Sequence, residues 1–199
     1  MSKEHAVVSA RSKTLIGHPD ADAVLRGTTL GGSGTFARVE PRDLIRGIVA
    51  RVRPHADAKD VDVVVYCTSG PVWVVPQAFS DALFEVLDNA VRATRRGYPV
   101  FVHVRDTDDG DVLWQIQDEG DGMTERDLAR LGHGPDTAAA EGPGLGVARA
   151  WALVEAHGGM LHFESAPRVG TTASIWLPAC GPGDALTSSS ALERGSTRS

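Results

Sequence analysis

Two cysteines, Cys67 and Cys180, among 199 residues supply neither a disulfide framework nor a zinc cluster; one lies in an apolar run and the other in a glycine-proline stretch. The chain also lacks the run of about 18 apolar residues that a membrane-spanning helix needs; the longest candidate is the short segment Val63 to Cys67. A basic excess is missing too. Twenty Lys and Arg against 26 Asp and Glu give a net charge of −6, so bulk electrostatics call for neither nucleic acid nor an anionic membrane. At the N-terminus, MSKEHAVVSARSK sets charges on both sides of an apolar stretch too short for a signal-peptide core. The expectation is a cytoplasmic chain without membrane insertion and without a nucleic-acid partner. There is no HExxH pair, no GxSxG elbow and no glycine loop followed by Lys-Ser or Lys-Thr. Zinc hydrolysis, serine-hydrolase chemistry and a Walker-type phosphate loop therefore find no support.

What is present is ordinary globular material, 42% hydrophobic and 23% charged, enough for one core. Residues 1–37 have no sustained periodicity and include Gly31-Gly32-Ser33-Gly34, which predicts a flexible N-terminal segment. From Cys180 the sequence GPGDALTSSSALERGSTRS offers few apolar anchors, so residues 180–199 are expected to form a disordered tail. The folded body is then 38–179. Within it, Leu44, Ile45, Ile48, Val49 and Val52 behind Pro41 predict a helix over 41–56, and a second helix follows Pro76. Runs near 61–65 and 72–75 around Ser69-Gly70-Pro71 predict a hairpin, as do 99–105 and 111–118 around an acidic turn. Thr124 with Asp127 marks the cap of a short helix, and a further helix over 145–157 precedes strands near 160–165 and 171–177. Strand pairs broken by helices give an α+β class: a two-layer α/β sandwich with a mixed, mostly antiparallel sheet and helices on one face.

Three constellations carry chemistry. On the second helix, Glu85, Asn89 and Arg92 fall on one stripe, away from the apolar face around Leu83 and Ala90. An acid, an amide and a guanidinium in line suit Mg²⁺ with phosphates; a solvated helix face uses the same residue types. At the end of a predicted strand stands Asp118-Glu119-Gly120-Asp121-Gly122-Met123, in which a carboxylate can accept from an exocyclic amine and glycines allow close backbone approach. A tight acidic turn is the alternative, whereas an EF-hand is not, because Ala129 stands where its closing glutamate belongs. Gly142-Pro143-Gly144-Leu145-Gly146 then opens a helix, an arrangement that binds anions through backbone N–H groups. It departs from the dinucleotide fingerprint, with Val147 where the final glycine belongs.

The order of the three is more specific than any one. FEVLDNAVRA resembles the N box, DEGDGM the first glycine box and GPGLGVARAWALVEAHGG the second glycine box of the GHKL (Bergerat-fold) ATP-binding superfamily. The ending FESAPRVGTTASIWLP is similar to the last two strands of sensor histidine kinases. The resemblance covers about residues 38–178. It implies an ATP-binding sandwich with a mobile lid, expected here over 132–141. It also implies that Asp118 binds the adenine amino group, with Gly120 and Gly122 shaping that pocket and Thr171 supporting it. Asn89, with Glu85 beside it, would hold Mg²⁺, and Arg92 would reach the phosphates. Gly142, Gly144, Leu145 and Gly146 would form the far hinge of the lid and the phosphate cradle.

Two departures stand out. The stretch between the glycine boxes, LARLGHGPDTAAAEGP, lacks the phenylalanine-centred element common in the family. His5 is followed by Ala6 and His18 by Pro19, and neither lies in a long amphipathic helix with a neighbouring acid. The resemblance thus implies an ATP-dependent histidine-kinase catalytic module whose phosphoacceptor histidine comes from a partner. Two other readings stay open: a nucleotide-dependent anti-sigma-type switch or serine kinase bound to a regulatory protein, and a slow ATPase with Glu85 as general base. Of the remaining histidines, His103 falls in a strand, His133 in the lid and His157 at a helix C-terminus that favours positive charge. His55 and His162 have no obvious partner.

Overall fold

The structure, a computed structural model, describes residues 34–131 and 145–178. Its strands are β1 (Ala37–Val39), β2 (Val63–Cys67), β3 (Val72–Val74), β4 (Val100–Asp106), β5 (Asp111–Asp118), β6 (Met160–Ala166) and β7 (Gly170–Pro178). Its helices are α1 (Pro41–Lys59), α2 (Pro76–Ala93), α3 (Glu125–Leu131) and α4 (Leu145–Ala156). Proline opens both long helices, where its fixed φ suits the first turn and its missing N–H is not needed. α1 passes through Pro54 and continues to Lys59, beyond the expected stop at 56, and closes on Asp60 in the left-handed region at φ 56. The cap of α3 is as expected: Thr124 Oγ1 accepts the Asp127 N–H at 3.2 Å.

The sheet has five strands in the order β2-β4-β5-β7-β6. The β2–β4 pair is parallel and the other pairs are antiparallel. α1, α2 and α4 pack on one face. Val102, Val104, Trp114, Ile116, Ile175, Leu177 and Leu161 from the strands meet Ile48, Val52, Phe79, Leu83, Val86 and Val154 from the helices. Phe79 and Trp114, both fully buried, meet edge to face with centroids 5.4 Å apart; burial of a side chain of Phe size contributes about 1.5–3 kcal/mol. This packing gives the expected sandwich.

The first expected hairpin does not form. β2 pairs in parallel with β4, and β3 pairs with β1 in a separate two-stranded sheet, Ala37 opposite Val74. The turn residues Ser69-Gly70-Pro71 fit a hairpin, but Val72 and Val74 are both wholly buried and their strand pairs with β1 instead of β2. The chain instead returns through α2, the crossover that a parallel pair requires. β1, three residues without a period of its own, takes its register from β3.

His157 fixes this corner of the fold. Its Nδ1–H donates to the Leu153 carbonyl at 2.6 Å, and its Nε2 accepts the Val75 N–H at 3.0 Å, just before the first turn of α2. Phe36 and Phe79 both meet the ring at 5.4 Å. Burial lowers its pKa from the ordinary 6.5, and a ring that accepts at Nε2 is neutral; the expectation of a charged histidine favoured by the helix C-terminus is corrected. Because the unfolded chain binds this proton more readily, the stabilising contribution is present above about pH 6.5 and is lost as pH falls through the depressed folded value. Urea unfolding should therefore show stability falling from pH 7 to 5. The slope should shrink in His157→Ala, which also leaves the Val75 N–H unpaired and costs about 1–3 kcal/mol; an unchanged slope contradicts the assignment.

Candidate functional site

The site is built where β5 and β7 end together. Asp118 pairs with Thr171 across the ladder and is buried at 5% exposure. Its Oδ1 accepts the Gly120 N–H at 2.8 Å and the Thr171 N–H at 3.3 Å. Burial raises its pKa above the ordinary 3.8, opposed by these two backbone bonds and by the charge of Lys59. A carboxylate kept buried with both of these bonds on one oxygen is held to receive a donor from elsewhere.

Glycine is required around it. A Cβ on Gly122, whose φ is +63°, would run into the carbonyl oxygen of Ala166; a Cβ on Gly120 would meet the backbone of Ala93 and lie 2.8 Å from Asp118 Oδ1. Ser165 ties the loop to the sheet. Its hydroxyl accepts the Met123 N–H at 2.8 Å, contacts Gly170 O at 3.0 Å and lies 2.9 Å from Thr171 Oγ1. Arg95 adds donors to the carbonyls of Gly120 and Arg168 at 3.3 and 3.2 Å.

α2 runs alongside, joined to this loop by the bridge between Thr94 and Gly120. On it, Asn89 is exposed and its side chain has no hydrogen bond among the described residues, Glu85 is half-buried, and Arg92 is exposed. Glu85 and Asn89 are one turn apart, but they differ in what they meet. Glu85 faces α4, with Arg149 Nη1 3.6 Å from its Oε1 and the backbone of Gly146 so close that a Cβ there would strike the carboxylate. Arg92 Nε lies 2.7 Å from Asp88 Oδ2. Gly142 and Gly144, with the expected lid, lie outside the described residues; Leu145 and Gly146 begin α4. The structure thus brings Asp118, Gly120, Gly122 and Thr171 to one end of the sheet, and Glu85 and Gly146 to one helix-helix contact.

Several neighbours were not legible from spacing. Asp88, 6% exposed, joins Arg92 to His55 of α1 through His55 Nδ1, so His55 has a partner after all. Lys59 donates to the carbonyls of Arg92 and Thr94 at 2.6 Å each, which caps the end of α2. Thr94 is fully buried, and its hydroxyl has no partner among the described residues. Only the polar position 88 on an otherwise apolar face of α2 gives a signal, and it reads equally well as an interruption.

As a metal site, the region offers the Asn89 amide oxygen and one flanking carboxylate, and no cluster of three or more metal-binding residues exists among the described residues. Such a sparse set of hard oxygens fits a Mg²⁺ whose other ligands are phosphate and water. No described helix is long and apolar enough to cross a membrane.

Comparison with known proteins places the fold. Residues 75–180, more than half of the chain, match the family of histidine kinase-, DNA gyrase B- and HSP90-like ATPases. The sensor histidine kinase ZraS of Klebsiella oxytoca is 36% identical over 129 residues, 63% of this chain and 28% of that protein. Sporulation kinase E of Bacillus subtilis (strain 168) is 34% identical over 108 residues, 54% of this chain and 15% of that protein. The chain thus spans less than a third of either relative. Among solved structures, the mycobacterial sensor histidine kinase MprB aligns at a TM-score of 0.64 and 26% identity, over 74% of this chain and 99% of that one. Full-length ShkA in complex with AMPPNP aligns in fold at a TM-score of 0.66 and 21% identity, over 79% and 34%. Over residues 75–180 the chain belongs to the histidine kinase-, DNA gyrase B- and HSP90-like ATPase family, within the GHKL superfamily.

Proposed function

We propose that the chain acts as the catalytic module of a two-component kinase, binding Mg²⁺-ATP and passing the γ-phosphate to a histidine carried by a protein partner. The observation that carries this reading is Asp118, a buried carboxylate with two backbone donors on one oxygen, beside glycines that leave no room for side chains. It would accept the adenine amino group, while Thr171 and Ser165 fix the strand ends behind it. Asn89 would hold Mg²⁺, which on binding neutralises phosphate charge, and the α4 N-terminus beginning at Leu145 would present N–H groups to the phosphates. Positioning and charge neutralisation are the main contributions a protein makes to phosphoryl transfer. A hydrolytic role would need Glu85 to take a proton from water. Its contacts with Arg149 and Gly146 support a positioning role instead, holding α4 against α2.

Asn89→Ala tests the metal assignment. By calorimetry across a Mg²⁺ titration, the gain in ATP affinity on adding the metal should fall by about 1.4 kcal/mol, roughly tenfold; equal gains in wild type and variant would remove Asn89 from that role. Incubation with labelled ATP and a partner histidine domain should give acid-labile, base-stable label. Label stable to acid would point to a serine acceptor and the switch-like reading.

A further inference from the structure

Far from Asp118 in sequence, where α1 lies beside the edge strand β2, the two elements line a groove of ≈ 360 Å³. Its lining residues are Arg42, Ile45, Arg46, Val49, Ala50, Arg53 and Val65: three cations and four apolar side chains with no acid among them. In α1 the residues Arg42, Arg46, Val49, Ala50 and Arg53 are spaced 4, 3, 1 and 3 apart, a seam at helical spacing of the kind one helix offers another. The groove is closed at one end, where Arg42 Nη2 donates to the Cys67 carbonyl at 2.9 Å and spans from α1 to β2. Val65 on its far wall is 38% exposed, on a strand with no partner on its outer edge among the described residues.

We infer that this groove is a docking surface for an acidic amphipathic helix of a protein partner. Charge selects the occupant. The chain as a whole is at −6, whereas this groove is lined by three guanidinium groups and no acid, so an acidic partner is steered to it rather than to the bulk of the chain. Two of them have intrahelical partners, Asp43 for Arg46 at 3.0 Å and Asp57 for Arg53 at 3.8 Å. These pairs are largely exposed and worth little in water, so partner carboxylates can replace them. Ile45, Val49, Ala50 and Val65 supply the apolar floor that receives residues at i, i+3, i+4 and i+7 of the incoming helix. Nothing about this groove depends on the nucleotide site.

The test uses the whole chain and a synthetic helical peptide with leucines at i, i+3, i+4 and i+7 flanked by glutamates, together with the same peptide carrying lysines in place of the glutamates. Fluorescence anisotropy should show binding of the glutamate peptide that weakens as salt rises, and no binding of the lysine peptide. Amide shifts should map to 42–53 and Val65. Arg46→Glu/Arg53→Glu, at two exposed positions, should weaken the glutamate peptide at least tenfold and leave ATP affinity within twofold. Failure of the glutamate peptide to bind, equal binding by the double variant or the lysine peptide, or a footprint elsewhere overturns the inference. Lost ATP binding in wild type would instead strike the proposed function and leave the groove untouched.

Discussion

Replacing Asp118 by Asn should leave the fold intact, and strengthen it at neutral pH, while removing most of the ATP affinity. Oδ1 of an asparagine can still accept the Gly120 and Thr171 N–H groups, now at 2.8 and 3.3 Å, so the loop keeps its frame. The charge is a burden on the fold. Burial raises the Asp118 pKa above 3.8, so its contribution to stability is full below that value and is lost as pH rises through the folded pKa, because burial desolvates the charged form. Asparagine removes that cost. It also turns an acceptor into an amide N–H facing the amino group that the proposed function places there. ATP binding should weaken by about 2 kcal/mol or more, roughly thirtyfold. The preference for ATP over GTP should narrow, since an amide N–H suits a ring carbonyl better than an amine does. Calorimetry with both nucleotides and urea unfolding at pH 7 give the readouts. Unchanged ATP affinity would take adenine recognition away from Asp118, and a lower urea midpoint would show that the charge is structurally needed.

The parts of the molecule that follow from local periodicity could be read in advance. α2 is a long amphipathic stripe behind a proline, and the β4–β5 hairpin has an acidic turn between two alternating runs; both stand as the residues imply. Asp118, Gly120, Gly122 and Thr171 share one strand end because the glycine box and the last strand are adjacent in the sheet. Spacing alone does not show that adjacency; only the resemblance to the GHKL superfamily implies it. What could not be read depends on partners distant in the chain. β2 has the same composition whether it pairs with β3 or β4, and its choice is made by α2, which carries the chain over the sheet. β1 exists only because Val72 and Val74 bury an edge for it. Asp88 looks like a polar intrusion on α2 until His55 arrives from α1. Arg149 shows its role only when α4 is laid against α2, where it meets Asp81 at 3.7 Å and Glu85 at 3.6 Å.

Gly122 allows the second strong test, because two separable effects meet there. An alanine at φ +63° pays the ordinary left-handed penalty of about 1–2 kcal/mol. Its Cβ would also overlap the carbonyl of Ala166 and lie 2.8 Å from that carbonyl's carbon and 3.1 Å from Gly170 O, all backbone atoms that no rotamer change can move aside. Forced displacement of this kind adds about 1–3 kcal/mol, so Gly122→Ala should destabilise the chain by about 2–5 kcal/mol in all. Gly97 provides the control: its φ is +79°, yet nothing lies within 4 Å of the position an added methyl group would take, so Gly97→Ala should show the first effect alone. The shift at 122 moves the β6–β7 turn, and with it Gly170 and the Thr171 N–H that holds Asp118. ATP affinity should therefore fall at least tenfold in Gly122→Ala, measured at a temperature where both variants are folded, and stay near wild type in Gly97→Ala. Equal destabilisation at the two positions would mean that the Ala166 contact yields without cost, and the close backbone approach would then have no part in shaping the pocket.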